Sequence, residues 1–242
     1  MSALLSLTAL IFVAQPSAAP TDALPFIKRY DEVMAPATYE GAIRMTAWRE
    51  DGSSRVYKMR IQKSGADKVR LTFQEPKSAV GQEMLRQGDN LWVYMPNLKR
   101  ALRLASRESF VGGDFNNADV LRPNWQTDYT GRIVEEKEGV VLLELKARTP
   151  DAAWDVVKLA MKGADPKTAQ PLRADLFAAS GKLLRSVEFV NVKDFGGGLT
   201  RPATITIKNE LVPARKSELT WDTLTLKAEI SAQRFGLEDL GR

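Results

Sequence analysis

The chain has 242 residues, with 35 Lys and Arg against 30 Asp and Glu, a net charge of +5, and neither Cys nor His. Those two absences exclude Ser-His-Asp and Cys-His nucleophilic catalysis, zinc sites built on His or Cys, disulfides, and a thiol for lipid attachment. The basic excess is spread along the chain without a block of like charges, so no nucleic-acid footprint is expected.

From Ala3 to Ala14 the sequence is almost wholly apolar, Pro16 breaks the run, and Ser17, Ala18 and Ala19 offer small residues for cleavage. That arrangement predicts a secretory signal peptide over residues 1–19, too short for a membrane span of about 20 apolar residues. Residues 20–242 are then one exported domain, expected in the periplasm. Phe26, Ile27, Tyr30, Val33 and Met34 recur at helical spacing, which predicts a short amphipathic helix ending before Pro36.

The period then changes to two. Tyr39, Ile43, Met45 and Ala47 alternate with polar residues, Asp51-Gly52 marks a hairpin turn, and Tyr57, Met59 and Ile61 alternate with Lys58, Arg60 and Gln62. A third strand sets Val69, Leu71 and Phe73 against Lys68, Arg70 and Thr72. Consecutive strands sharing one apolar face predict a curved antiparallel sheet around an apolar interior. The pattern continues over 80–86 and 91–95, where Trp92 and Tyr94 oppose Leu91, Val93 and Met95, so both faces of that strand need cover.

A return strand over 100–104 leads into a polar, irregular stretch from Ser106 to Asn124. In it Asn116 and Asp119 have the spacing of an N-cap before a short helical turn reaching Leu121. Further strands are predicted over 129–136, 140–147, 172–177, 183–192, 202–208 and 219–227, while 154–161 fits either period. Gly196-Gly197-Gly198 reads as a hairpin connection, since a phosphate-cradling loop would have to open a helix. About a dozen strands beside one or two helices predict a mainly β protein, a barrel or strongly curved sheet.

Residues 90–119 read NLWVYMPNLKRALRLASRESFVGGDFNNAD. Leu91-Trp92-Val93-Tyr94-Met95-Pro96, the strand from Lys99-Arg100 to Arg103, and Gly112-Gly113-Asp114-Phe115 with Asp119 together resemble the outer-membrane lipoprotein-sorting proteins, the LolA-like family. Tyr39-Glu40-Gly41, Gly81-Gln82-Glu83-Met84-Leu85-Arg86 and the close from Phe235 to Leu240 extend the resemblance over essentially the whole exported chain. Gly-Gly-Asp-Phe stands where that branch is expected to carry Gly-Ser-Asp-Phe.

The resemblance implies an unclosed antiparallel β-barrel with a helical lid over an apolar interior that holds acyl chains. It also implies a monomeric carrier of a lipid or lipoprotein, working between an inner-membrane transporter of ABC or RND type and an outer-membrane acceptor. A sensor or accessory subunit of an envelope transporter on the same scaffold is the alternative. The expected cavity wall is Ile43, Met45, Met59, Ile61, Leu71, Phe73, Met84, Trp92 and Tyr94, and the expected lid is Phe26, Tyr30, Met34, Phe115 and Leu121. For each of these, plain core packing competes with cargo contact, and for Trp92 and Tyr94 packing is the stronger reading. Flexible, polarisable Met side chains suit acyl chains of varied shape. Moving about fourteen carbons out of water gains roughly 10 kcal/mol, so a lipid needs such an interior to cross an aqueous space. Asp114 and Asp119 lack the further oxygen ligands of a calcium loop. No paired carboxylate motif appears, so neither catalytic residues, metal nor cofactor is expected.

Overall fold

In the computed structural model, residues 22–122 and 124–242 are described, and the expected signal peptide lies outside them. Helix α1 spans Leu24–Met34, with Pro25 in its first turn, and buries Phe26, Ile27, Tyr30, Val33 and Met34. These are the residues whose spacing predicts it. The chain stops being helical at Ala35, the residue before Pro36, where the proline ring disfavours helical backbone.

Six strands follow: β1 Thr38–Trp48, β2 Ser54–Ser64, β3 Lys68–Glu75, β4 Glu83–Gln87, β5 Asn90–Met95 and β6 Arg100–Leu104. Two short helices come next, α2 Asn117–Leu121 and α3 Trp125–Asp128. Seven more strands close the chain: β7 Tyr129–Lys137, β8 Val140–Ala147, β9 Val156–Lys162, β10 Gln170–Phe177, β11 Leu183–Asp194, β12 Thr200–Asn209 and β13 Lys216–Leu226. They form one sheet of 13 strands in the order β6-β5-β4-β3-β2-β1-β13-β12-β11-β10-β9-β8-β7. Neighbours are antiparallel, and β1 joins the two halves by pairing with β13. Because β6 and β7 are not hydrogen-bonded to each other, the sheet stays open: an unclosed, curved barrel with a helical lid.

Two boundaries differ from the pattern-based reading. Residues 80–82 belong to a turn, so the fourth strand begins at Glu83. The ambiguous segment is strand β9 from Val156, and Trp154 precedes it in a loop. The glycine run 196–198 does connect β11 to β12, and all three glycines have positive φ, which a side chain would resist.

Register explains how the core assembles. Ile43 faces Met59, and Met59 faces Phe73; Ile61 faces Leu71, Leu71 faces Met84, and Met84 faces Val93. Each row runs across the strands on one face, so period-two patterning becomes a continuous apolar wall. Most of the buried side chains of both halves, with those of α1 and α2, form a single cluster.

The opposite face of β3–β5 carries a second, smaller cluster, in which Leu85 packs with Phe235 and Leu240 and is flanked by Trp92 and Tyr94. Arg70, expected on a wet strand face, is fully buried there. Its guanidinium meets Glu83, donates to Asp239 Oδ2 at 2.5 Å, and donates to the Arg234 carbonyl at 2.7 Å. The chain after β13 is thus tied onto the outside of the sheet by a buried ion-pair network. Period-two reading could not find this, because the cover comes from residues about 165 positions away: the arginine bonds to Arg234 and Asp239 at separations of 164 and 169.

Candidate functional site: the covered interior of the barrel

Three segments cover the mouth of the curved sheet: α1, the stretch from Ser106 to Asn116, and the pair α2–α3. Each is pinned by polar contacts. The Asp31 carboxylate on α1 accepts the Trp125 and Gln126 backbone N–H groups at 2.9 and 2.8 Å, satisfying orphan donors at the start of α3. Buried Lys63 on β2 donates to the Pro36 carbonyl at 2.8 Å and to the Ala35 carbonyl at 3.2 Å, just past the C-terminal end of α1. Burial pulls its ammonium down to about 8. Arg122, after α2, forks onto Asp128 and reaches Asp89 at 2.7 Å, joining the lid to the β4–β5 turn.

The glycine-containing loop is inserted rather than draped. Asp114, buried, accepts from Asn209 Nδ2 at 2.8 Å and lies beside Ser217 Oγ, which fixes the loop to β12 and β13. Gly113 sits so near Met45 that a Cβ would collide with the Met45 methyl group. Asp119 is the third residue of a capping box: its carboxylate accepts the Asn116 N–H at 2.8 Å, and it also accepts Trp154 Nε1 at 2.9 Å. Burial outweighs these hydrogen bonds and pushes its carboxyl up to about 6. Asp114 therefore holds two side-chain donors and Asp119 one backbone and one side-chain donor, and among the described residues no group of three or more acidic side chains is placed to bind a metal.

Beneath this cover lie two cavities. One, of about 50 Å³, is lined by Phe115, Trp125, Trp154, Leu176, Val187 and Phe189 among others. The second, of about 40 Å³, is lined by Met34, Ile43, Ile61, Arg201, Leu219 and Trp221 among others. Tyr30, Asp119 and Ile205 line both. Aromatic contacts dominate the partition: Tyr30 stacks on Trp125 and meets Phe189 edge-on with centroids 5.9 Å apart. Ligand pockets for drug-sized molecules measure about 300–1,000 Å³, so the covered interior in this state has room for small groups and not for a whole acyl chain.

Of the expected wall residues, Ile43 and Ile61 line a cavity; Met45, Met59, Leu71, Phe73 and Met84 are buried in the same apolar cluster without lining one of the two. Trp92 and Tyr94 require correction. They point to the other face, against the Phe235–Leu240 segment, because β5 is apolar on both sides and Leu91 and Val93 take the inner one. Arg103 lies over the Trp92 ring at 5.2 Å. Of the expected lid, Tyr30, Met34 and Phe115 line the cavities, and Phe26 and Leu121 pack beside them.

The sequence reading missed Trp125, Trp154, Phe189, Ile205, Trp221 and Arg201. Phe189, Ile205 and Trp221 stand on strands that it identified, and their period-two phase was the available signal. Nothing local marks Arg201, which is fully buried on β12.

Residues 65–242 match a family profile described as an uncharacterized protein. No curated protein matches the sequence. Among solved structures, a LolA superfamily protein of Nitrosomonas europaea superposes with a TM-score of 0.78 at 23% identity, covering 89% of this chain and 98% of that one. A putative outer membrane lipoprotein-sorting protein domain of Vibrio parahaemolyticus gives 0.75 at 19% identity, with coverages of 90% and 98%. A DUF1329 family protein of Desulfovibrio piger gives 0.79 at 18% identity, with coverages of 90% and 97%. At these identities the likeness is one of fold, and it extends over nearly all of the described residues.

Proposed function

We propose that this chain, which belongs to the uncharacterized protein family matched over residues 65–242 and has the LolA fold, is a periplasmic carrier that shelters the acyl chains of a lipid or lipoprotein. The observation that supports the reading is the pair of cavities sharing Tyr30, Asp119 and Ile205 on the apolar side of an open sheet, under a cover made of short helices. An acyl chain enters when Tyr30 and Trp125 swing away and the two cavities merge with the space that the lid occupied. In this reading lid and cargo compete for one apolar surface: the lid side chains bury it when cargo leaves, and cargo buries it when the lid opens. Release therefore does not face the full cost of about 0.8 kcal/mol per methylene that free water would impose.

No helix among the described residues is long and apolar enough to cross a membrane. In this reading the protein exchanges cargo with a transporter of the inner membrane, of ABC or RND type, and with an acceptor at the outer membrane. It acts as a non-enzymatic shuttle. Transfer between vesicles tests it: a fluorescent fatty-acyl lipid should move from donor to acceptor vesicles at a rate proportional to protein concentration. A rate equal to that of vesicles alone would remove the proposal.

A further inference from the structure

Five basic side chains are buried among the described residues, and four of them have obvious electrostatic partners. Arg70 pairs with Glu83 and Asp239, and Arg122 with Asp128 and Asp89. Lys63 sits on three carbonyls within reach of the charge of Asp31 and Asp67, and Arg86 lies in the field of Asp67, Asp89 and Asp128. Arg201 is the exception. It is 0% exposed, and no carboxylate of the described residues lies within 4.0 Å of it.

Its Nε donates to the carbonyl of Pro202 at 3.1 Å and its Nη1 to the carbonyl of Met34 at 2.9 Å. Its guanidinium carbon lies 4.9 Å from the centre of the Trp221 ring. The ionisable neighbours that act on it are two phenols, Tyr39 and Tyr30, which burial keeps neutral at physiological pH. Burying a cation without a counter-charge costs several kcal/mol even after relaxation, and a guanidinium cannot escape by losing its proton at neutral pH.

Arg201 also lines the cavity of about 40 Å³, and so does Trp221, whose indole N–H is buried without a hydrogen-bond acceptor among the described residues. A cation without a counter-charge and an indole N–H without an acceptor, on the neighbouring strands β12 and β13, thus border one small space that is otherwise walled by the phenols of Tyr30 and Tyr39 and by apolar side chains such as Met34, Ile43 and Leu219. Asp119 borders it too, but its oxygens are engaged by the Asn116 N–H and Trp154 Nε1. A single water needs about 10–15 Å³ of such space, so the cavity takes a group of about three heavy atoms. A carboxylate has that size, and with Nε and Nη1 of Arg201 engaged by carbonyls, Nη2 is the donor left for a charge-assisted hydrogen bond to it. A phosphodiester with its glycerol does not fit.

We propose that the cavity bordered by Arg201 and Trp221 is a binding site for the carboxylate of a single-chain amphiphile, whose tail runs toward Tyr30 and the second cavity. The proposal rests on the reading of the chain as an acyl-chain carrier and adds a head-group preference to it.

Calorimetric titration with dodecanoate, methyl dodecanoate and acetate tests it. The wild-type protein should bind dodecanoate at least about tenfold more tightly than the methyl ester and should show no heat with acetate. Arg201→Met, whose apolar side chain fills much the same volume, should bind acid and ester equally, at the ester's affinity. Trp221→Phe keeps the ring under the guanidinium and loses only the N–H donor. It should reduce the preference several-fold, which provides a second reading should Arg201→Met fail to fold. Equal binding of acid and ester by the wild type, or a preference that survives both substitutions, would overturn the head-group site and leave the carrier intact. Absence of binding to either twelve-carbon ligand would overturn the carrier and the site together. Saturable binding of acetate would assign the cavity to small anions and overturn the amphiphile.

Discussion

The rings of Tyr30 and Trp125 stack with centroids 4.1 Å apart and planes 24° from parallel. This contact joins α1 to α3 across the two cavities, and the Asp31 carboxylate, one residue along, holds the same pair of helices by hydrogen bonds. The cover of the barrel therefore has one apolar and one polar fastening, side by side.

Removing the apolar fastening should loosen the cover. Trp125→Ala deletes a buried indole, and substitutions of this kind cost about 3–5 kcal/mol in a core, a figure that serves as an upper bound for a lid. Thermal unfolding should shift downward, and a bound acyl probe should dissociate faster in stopped-flow measurements. Trp125→Phe keeps a stacked ring and should lie between the two. An unchanged dissociation rate in Trp125→Ala would show that α3 does not gate the interior.

Asp119 supplies a pH dependence of known sign. Its carboxyl is raised to about 6 in the folded protein, above the ordinary aspartate range, so the folded state holds a proton that the unfolded chain releases. The stability contributed by that proton is fully present below about pH 4 and is lost as the pH rises through about 6. Asp31 is shifted the same way, also to about 6. Urea unfolding of wild type and Asp119→Asn in steps from about pH 7 to about pH 4 isolates the effect. The difference in stability should move in favour of the wild type as the pH falls, by at most about 1.4 kcal/mol per pH unit. A constant difference would mean that Asp119 titrates as in the unfolded chain.

The outer ion-pair network predicts a contrast between a single and a triple variant. Arg70→Ala leaves Glu83 and Asp239 buried without their cation and should cost about 3–5 kcal/mol. The triple variant Arg70→Met, Glu83→Gln, Asp239→Asn removes the charges together and should recover much of that loss. The emission of Trp92, which this segment covers, should shift to longer wavelength in Arg70→Ala as residues 232–240 detach. Limited proteolysis after β13 gives an independent check.

Much of this architecture was legible because strands with one wet face carry their own signature. Met45, Met59 and Leu71 fell in phase with their neighbours, and the register places their side chains on one wall. Asp51-Gly52 marked its turn through glycine's tolerance of positive φ, here 78°. The failures share a cause. Arg70, Arg201 and Trp92 are defined by what covers them, and the cover arrives from the chain's far end, from α1, or from the opposite face of the sheet. A charged residue in a period-two strand looks solvated until its distant partner is known. Trp92 could not be assigned a side from a strand apolar on both. Trp125 opens the four-residue helix α3, too short to show a period, and Trp154 lies in a loop.

In the proposed function this interior carries an acyl chain in the cell. Native mass spectrometry of the protein, isolated without detergent or denaturant from the cells that make it, tests this most directly. A carrier gives a population heavier than the apoprotein by the mass of one lipid or fatty acid, which collisional activation removes as a discrete species. A single population at the polypeptide mass, unchanged after incubation with the cells' extracted lipids, would contradict it.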